Sequence, residues 1–311
     1  MSTISSSMSV GASWLESTAR ERLTGLLDPD SFNEFVGPWE REASPHLARF
    51  NLPASFDDGI VVGSASLNGQ PIWIAAQEGR FMGGTFSEVA GAKLVGLLRV
   101  ARAFAQQGKP RAVLLLLDSG GVRLQEANAG ELAVSEVIRA LLQARSTGLR
   151  VIALIGGTAG AFGGGGIVTA CCSDIVVSEH ARIGVTGPEV IEINKGVEEF
   201  DSKDRALVWR ITGARTRVLT GGADRYVKDD MEAFRRVAIE LLTHPASLDL
   251  ELLKGEQRRL KNRLDDFRDC EDALDILRKR GWNHPERMFE IDDEQFLCEL
   301  KKIGEESHVA R

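Results

Sequence analysis

The sequence predicts an α/β fold built on a mainly parallel sheet. Three observations carry that expectation: continuous apolar runs of strand length, a glycine-rich turn after each, and a helical period on either side. The runs are residues 111–117 (RAVLLLL) and 150–155 (RVIALI). An uninterrupted apolar strand implies cover on both faces, the environment of a parallel sheet with helical crossovers. Strand, glycine turn, helix and strand in succession is βαβ organisation.

The elements follow in order. The first dozen residues read as frayed. Ser13 and Glu16 then form a capping-box pattern, so a helix is expected to reach Leu27, where Asp28-Pro29-Asp30 stops it. Residues 31–53 read as a loop whose aromatics, Phe32, Phe35, Trp39 and Phe50, pin it to a surface. Strand-like segments beginning at Gly59 and Pro71 flank Asn68-Gly69, the dipeptide suited to a hairpin turn with positive φ at both centres. Phe81-Met82-Gly83-Gly84 leads into a helix over about 86–107, and a second helix is expected over 124–146. After the second glycine turn come a short apolar helix over 167–172 and a strand over 174–178.

Beyond Gly221-Gly222 the composition becomes charged, and 229–311 reads as one to three surface helices. Three parts result: an N-terminal helix and extended arm (1–58), a core (59–228) and charged C-terminal helices (229–311). The 311 residues are 43% hydrophobic, enough to bury a full core.

Composition excludes several function classes. A formal net charge of −7 disfavours nucleic acid, whose phosphates call for a basic stripe. The four cysteines (171, 172, 270, 298) contain no CxxC pair, and the five histidines lack i,i+4 spacing, so no structural metal is expected. Free thiols suit a reducing cytoplasm. No apolar run is long enough to span a bilayer, and the start MSTISSSMSV lacks a signal-peptide pattern.

The two glycine turns carry the functional signal. Leu117-Asp118-Ser119-Gly120-Gly121 runs into Val122-Arg123-Leu124-Gln125-Glu126, and Ile155-Gly156-Gly157 leads through Phe162 into Gly163-Gly164-Gly165-Gly166. Helix N-termini expose N–H groups without intrahelical partners, and glycine lets a ligand oxygen approach them. Neither turn has the Lys-Ser/Thr of a P-loop, and no glycine triplet has the dinucleotide-binding spacing. Tight turns and close helix–sheet packing explain one such site as well as a ligand does. Two on successive strands at one sheet edge, where α/β proteins bind ligands, favour a site.

At these residues the chain resembles a known family. Phe81-Met82-Gly83-Gly84, the stretch 118–126 and Ile183-Gly184-Val185-Thr186-Gly187-Pro188-Glu189-Val190-Ile191-Glu192 resemble, in order and spacing, carboxyltransferase β subunits of acyl-CoA carboxylases. The likeness covers about 60–220. Within that superfamily the segment 156–166 and the stretch around Trp14-Leu15-Glu16 look like the β subunits of biotin-independent malonate decarboxylases. The four-cysteine zinc ribbon usual in bacterial acetyl-CoA carboxylase β subunits has no counterpart here, which favours the decarboxylase.

The resemblance implies a crotonase (ClpP-like) fold of stacked ββα units with a mainly parallel sheet and peripheral helices. It implies an oxyanion hole of two backbone amides, one from Gly120 or Gly121 and one from Gly163, Gly164 or Gly165. Phe81, Gly83, Gly84, Arg123, Gly187, Pro188 and Glu189 are the implied substrate-side residues. The hydratase glutamate has no counterpart over 166–171, so hydration of an enoyl thioester is disfavoured. No cofactor is expected on this chain; the substrate rides on a dephospho-CoA-derived group of a carrier protein. The implied partners are a γ subunit of the same fold, the acyl carrier protein and an acyl-carrier transferase subunit, with no nucleic acid and no membrane. The implied reaction is decarboxylation of a malonyl thioester through an enolate. Biotin-dependent carboxyl transfer and a non-catalytic scaffold are the alternatives.

Some roles stay open on the sequence alone. Arg123 either holds a substrate carboxylate or pairs with Glu126, one turn on. Glu189 is either an acid for the protonation step or a helix-N-terminal acid favoured by the dipole. Asp118 reads as structural, and Cys171-Cys172 as small buried residues. The basic cluster 257–261 faces either an acidic carrier or solvent.

Overall fold

The computed structural model describes residues 11–309 apart from 53–55, 58, 110, 245 and 246. Most of the stretch read as frayed lies outside the described residues. Seven strands form one sheet in sequence order: β1 (Asn33–Phe35), β2 (Ile60–Leu67), β3 (Gln70–Gln77), β4 (Val113–Leu117), β5 (Val151–Ile155), β6 (Asp174–Ser178) and β7 (Arg225–Val227). The first three pair antiparallel, and β3 to β7 run parallel. The β2–β3 turn has positive φ at Asn68 and Gly69, as the dipeptide predicts.

Twelve helices are described: α1 (Ala19–Leu26), α2 (Glu88–Gln106), α3 (Ala129–Arg145), α4 (Gly164–Ala170), α5 (Pro188–Lys195), α6 (Arg205–Thr212), α7 (Ala214–Leu219), α8 (Met231–Leu242), α9 (Leu250–Asp266), α10 (Ala273–Lys279), α11 (Arg287–Glu290) and α12 (Asp293–Val309). Strand alternation divides the core. Val113, Leu115 and Leu117 face the layer of α2 and α3, with Leu94, Leu98, Val137 and Leu141. Leu114 and Leu116 face α1 and α8, with Leu23, Leu26, Phe234 and Leu241. Each such side chain stabilises the fold by roughly 1.5–3 kcal/mol.

Beyond the strands the chain repeats a second motif. Ser119 bridges Ala161 and Ala161 bridges Ile183, all parallel, so β4, β5 and β6 each continue into a short second ladder. A parallel bridge from Phe86 to Val122 lies alongside. This is the stacked ββα arrangement of the crotonase fold.

The structure corrects four local expectations. Helix α1 starts at Thr18, whose hydroxyl accepts from Glu21 N–H while the Glu21 carboxylate accepts from Thr18 N–H. Ser13 accepts from Glu16 N–H at 3.2 Å and donates to Asp229, but the segment it caps is a turn and not a helix. Part of the expected loop is strand β1, because Phe35 pairs with Val62 along an open sheet edge. Helix α4 spans Gly164–Ala170 and not 167–172, so three of the four glycines form its first turn and Gly163 caps it. The C-terminal part holds five helices, of which α8 is core: Phe234 stacks on Trp14 at 4.0 Å between centroids.

Candidate functional site

The two glycine turns lie against each other. A Cβ built on Gly163 would stand 3.2 Å from Gly121 Cα and 3.9 Å from Val122 N. Gly163 has φ +53° with ψ −126°, which β-carbon-bearing residues avoid. The next three glycines are dictated by packing. A Cβ would come within 2.6 Å of Val134 Cγ2 from Gly164, 2.7 Å of Ser119 Cβ from Gly165 and 2.3 Å of the Gly184 carbonyl oxygen from Gly166. Close packing therefore requires glycine at these three positions.

Hydrogen bonding separates occupied amides from free ones. Gly120 N–H donates to Gly83 O at 2.9 Å, Gly121 N–H to Ser119 Oγ at 3.2 Å and Gly163 N–H to Val185 O at 3.1 Å. These three amides, named from the sequence as oxyanion donors, each already have an acceptor within the chain. Gly164 and Gly165 N–H, the first two of α4, meet no acceptor among the described residues. Val122 N–H is free in the same sense. Its bridge to Phe86 uses Gly121 O and Arg123 N–H, which turns the Val122 amide away. Nothing in the sequence singles out Val122, because no side chain marks a free amide.

Asp118 braces the two turns, in line with its structural reading. Its carboxylate accepts from Ala159 N–H at 2.7 Å and Gly160 N–H at 3.2 Å, and pairs with Arg22 at 3.1 Å. Both partners of that pair are 2% exposed. Gly79 and Gly157 wall the carboxylate so closely that a Cβ would lie 2.4 Å and 1.9 Å from an Asp118 oxygen. Arg22 was not anticipated, since 96 residues separate it from Asp118.

Arg123 is buried, paired with Asp57 and with Glu126 at 3.5 Å, and bonded to Thr85 Oγ1 at 3.2 Å. Its guanidinium also covers the Phe81 ring at 5.5 Å. Arg123 thus makes the Glu126 contact that the sequence offers as one reading, and it ties Asp57 and the Phe81–Thr85 loop to the first turn. Glu126 in turn accepts from Glu88 N–H at the start of α2. In the same loop, Gly83 and Gly84 both have positive φ, and Gly84 O accepts from Gln77 Nε2 at 2.5 Å. Gly187 and Pro188 start α5, with Pro188 buried and Glu189 exposed in its first turn.

Arg182 packs against Phe162 and Trp209, 5.7 and 4.9 Å from their centroids. Burial pulls its pKa down, opposed by the nearby Glu189 and Asp118 charges. Burial pushes both the Cys171 and Cys172 thiols up, which removes them as nucleophiles at neutral pH. No cluster of three or more metal-ligating side chains occurs among the described residues. Clefts of about 580 Å³ beside Trp209 and 590 Å³ between α2 and α3 do not have Val122, Gly164 or Gly165 among their lining residues. Among the described residues no helix is long and apolar enough to cross a membrane.

The carboxyl transferase domain family matches residues 16–248. The malonyl-S-ACP:biotin-protein carboxyltransferase of Malonomonas rubra is 36% identical over 308 residues, 94% of this chain and 96% of that one. The methylmalonyl-CoA carboxyltransferase 12S subunit of Propionibacterium freudenreichii subsp. shermanii is 30% identical, over 73% of this chain and 40% of that one. A chain of the Pseudomonas malonate decarboxylase hetero-tetramer, solved in complex with malonate, superposes with a TM-score of 0.78 at 38% identity, covering 86% of this chain and 97% of that one. A chain of a Pseudomonas malonate decarboxylase hetero-dimer gives 0.65 at 35% identity, over 80% and 96%.

Proposed function

The chain belongs to the carboxyl transferase domain family, and from that premise we propose that it is the β subunit of a malonate decarboxylase. It decarboxylates a malonyl thioester carried by an acyl carrier protein on a dephospho-CoA-derived arm. A γ subunit of the same fold and an acyl-carrier transferase subunit complete the cytoplasmic complex, and residues 59–228 form the catalytic core. The observation that carries the reading is the pair of free donors, Val122 N–H on one turn and Gly164 or Gly165 N–H on the other.

In the reaction the bond between the carboxylate carbon and the methylene carbon breaks. CO2 leaves, and the electron pair delocalises onto the thioester oxygen as an enolate. Preorganised N–H donors lower that barrier because they meet the charge as it develops, without reorganising. A proton then returns to carbon to give the acetyl thioester. In this reading Glu189 supports that step from the start of α5, and Phe81, Gly83, Gly84, Gly187 and Pro188 shape the substrate side.

Replacing Val122 with proline deletes one donor that makes no internal bond. In the assembled complex the decarboxylation rate is expected to fall by about 10²–10³ with the fold kept. An unchanged rate removes the amide from the mechanism. Biotin-dependent carboxyl transfer is the second reading, favoured by the name of the Malonomonas rubra relative. Avidin separates the two: turnover of malonyl thioester that avidin does not touch excludes biotin, and turnover that avidin stops excludes direct decarboxylation.

A further inference from the structure

Helix α9 is the feature the proposed reaction leaves unused. It is 17 residues long and has no buried residue. Its start is well made, since the Asp249 carboxylate accepts from Leu252 N–H at 2.8 Å. One side touches the body: a Cβ built on Gly221 would stand 3.4 Å from Arg263 Nη1 and 3.5 Å from Arg259 Nη1. Beside that contact runs a stripe formed by Leu250, Leu253, Gln257, Leu260, Leu264 and then Phe267. Its spacing alternates three and four residues, the a/d pattern of a coiled coil. Leu250, Leu253, Leu260 and Leu264 are 64%, 52%, 48% and 72% exposed. Helices of this length are marginal in water unless tertiary packing covers an apolar face.

The charges beside the stripe indicate what covers it. With Leu250 at position a, the e positions are Lys254, Lys261 and Arg268, and the g positions are Asp249, Glu256 and Arg263. Two parallel copies place g of one against e of the other, five residues on. Asp249 then meets Lys254, Glu256 meets Lys261, and only Arg263 against Arg268 repels. An antiparallel pair sets the three basic e positions against one another. Gln257 is the single polar a residue and would face its own copy across the symmetry axis, the arrangement by which one buried amide fixes register.

We propose that α9 is a homotypic interface on which a second copy of this chain docks as a short parallel coiled coil through Leu250, Leu253, Gln257, Leu260 and Leu264. The test uses the full chain. Sedimentation over a concentration series is expected to show a dimer. Leu260→Lys, at an exposed position, is expected to raise its dissociation constant about tenfold or more. The double substitution Lys254→Glu, Lys261→Glu should weaken it too, because acids would then face Asp249 and Glu256 of the other copy. Gln257→Cys in a Cys298→Ser background is expected to cross-link copies on oxidation, since facing a positions lie within disulfide reach. A monomer across the series, or a dimer that Leu260→Lys leaves intact, overturns the proposal. So does a monomer whose Leu260→Lys form fails only to join the other subunits, a result that would assign α9 to an unlike partner.

Discussion

At Gly164, Gly165 and Gly166 there is no room for a methyl group, whereas a Cβ built on Gly255 in the middle of α9 meets nothing within 4 Å. The first region is closed by backbone. Backbone carbonyls hold Gly120 and Gly163, the Ser119 hydroxyl holds Gly121, a buried carboxylate holds Ala159 and Gly160, and the groups left over are amides. The second region is open, and its recognition chemistry lies in side chains spaced along a helix. A glycine thus means opposite things in one chain: in the turns it is the only residue that fits, and in α9 it lowers helix stability by about 1 kcal/mol relative to alanine.

Several substitutions would break or sharpen that contrast. The largest effect is expected at the brace. Asp118→Ala leaves Arg22 as a buried charge without its partner, which should cost about 3–5 kcal/mol in denaturant unfolding. A loss below 1 kcal/mol would mean that the turns do not depend on the brace. Next is Gly164→Ala, whose methyl must push Val134 aside. We expect about 1–3 kcal/mol of destabilisation, read as a lower midpoint in urea. Gly255→Ala should go the other way, stabilising by roughly 0.5–1 kcal/mol. If both alanines moved stability in the same direction, the division between closed and open regions would fail.

The smallest effect is a pH dependence at the start of α2. Burial raises the Glu88 pKa, but the hydrogen bonds from His46 and Ser44 outweigh it and leave the carboxyl below its ordinary value of 4.5. A carboxyl lowered in the folded state contributes stability above the unfolded pKa and loses it as pH falls through the folded value. The melting temperature of the native chain should therefore exceed that of Glu88→Gln at neutral pH, with the gap closing below pH 4.5. A gap independent of pH would mean that the Glu88 charge adds nothing.

Much of the fold was legible because its signals are local. The apolar runs at 113–117 and 151–155 needed only their own residues to read as buried strands, and Asn68-Gly69 fixed its hairpin turn by backbone preference. Where two segments offered the same local signal, a distant contact chose between them. Ser13-x-x-Glu16 and Thr18-x-x-Glu21 are both capping boxes by pattern; Ser13 accepts from Glu16 N–H, but Asp229 holds both the Ser13 hydroxyl and Leu15 N–H, and the helix starts only after Thr18. Helix α8 read as surface because its charges dominate the composition, yet its apolar face fills the space beside Trp14. Arg123 was read against its neighbour Glu126, and its second carboxylate, Asp57, lies 66 residues away.

By itself the sequence determined the α/β class, the position of both glycine turns and the family whose motifs they carry, since periodicity, glycine spacing and motif order are written along the chain. The tertiary structure alone decided which amides remain free. A backbone N–H is available to an oxyanion only if no carbonyl or hydroxyl elsewhere has taken it. Gly83, Ser119 and Val185 take those of Gly120, Gly121 and Gly163, while Val122, Gly164 and Gly165 meet no acceptor among the described residues.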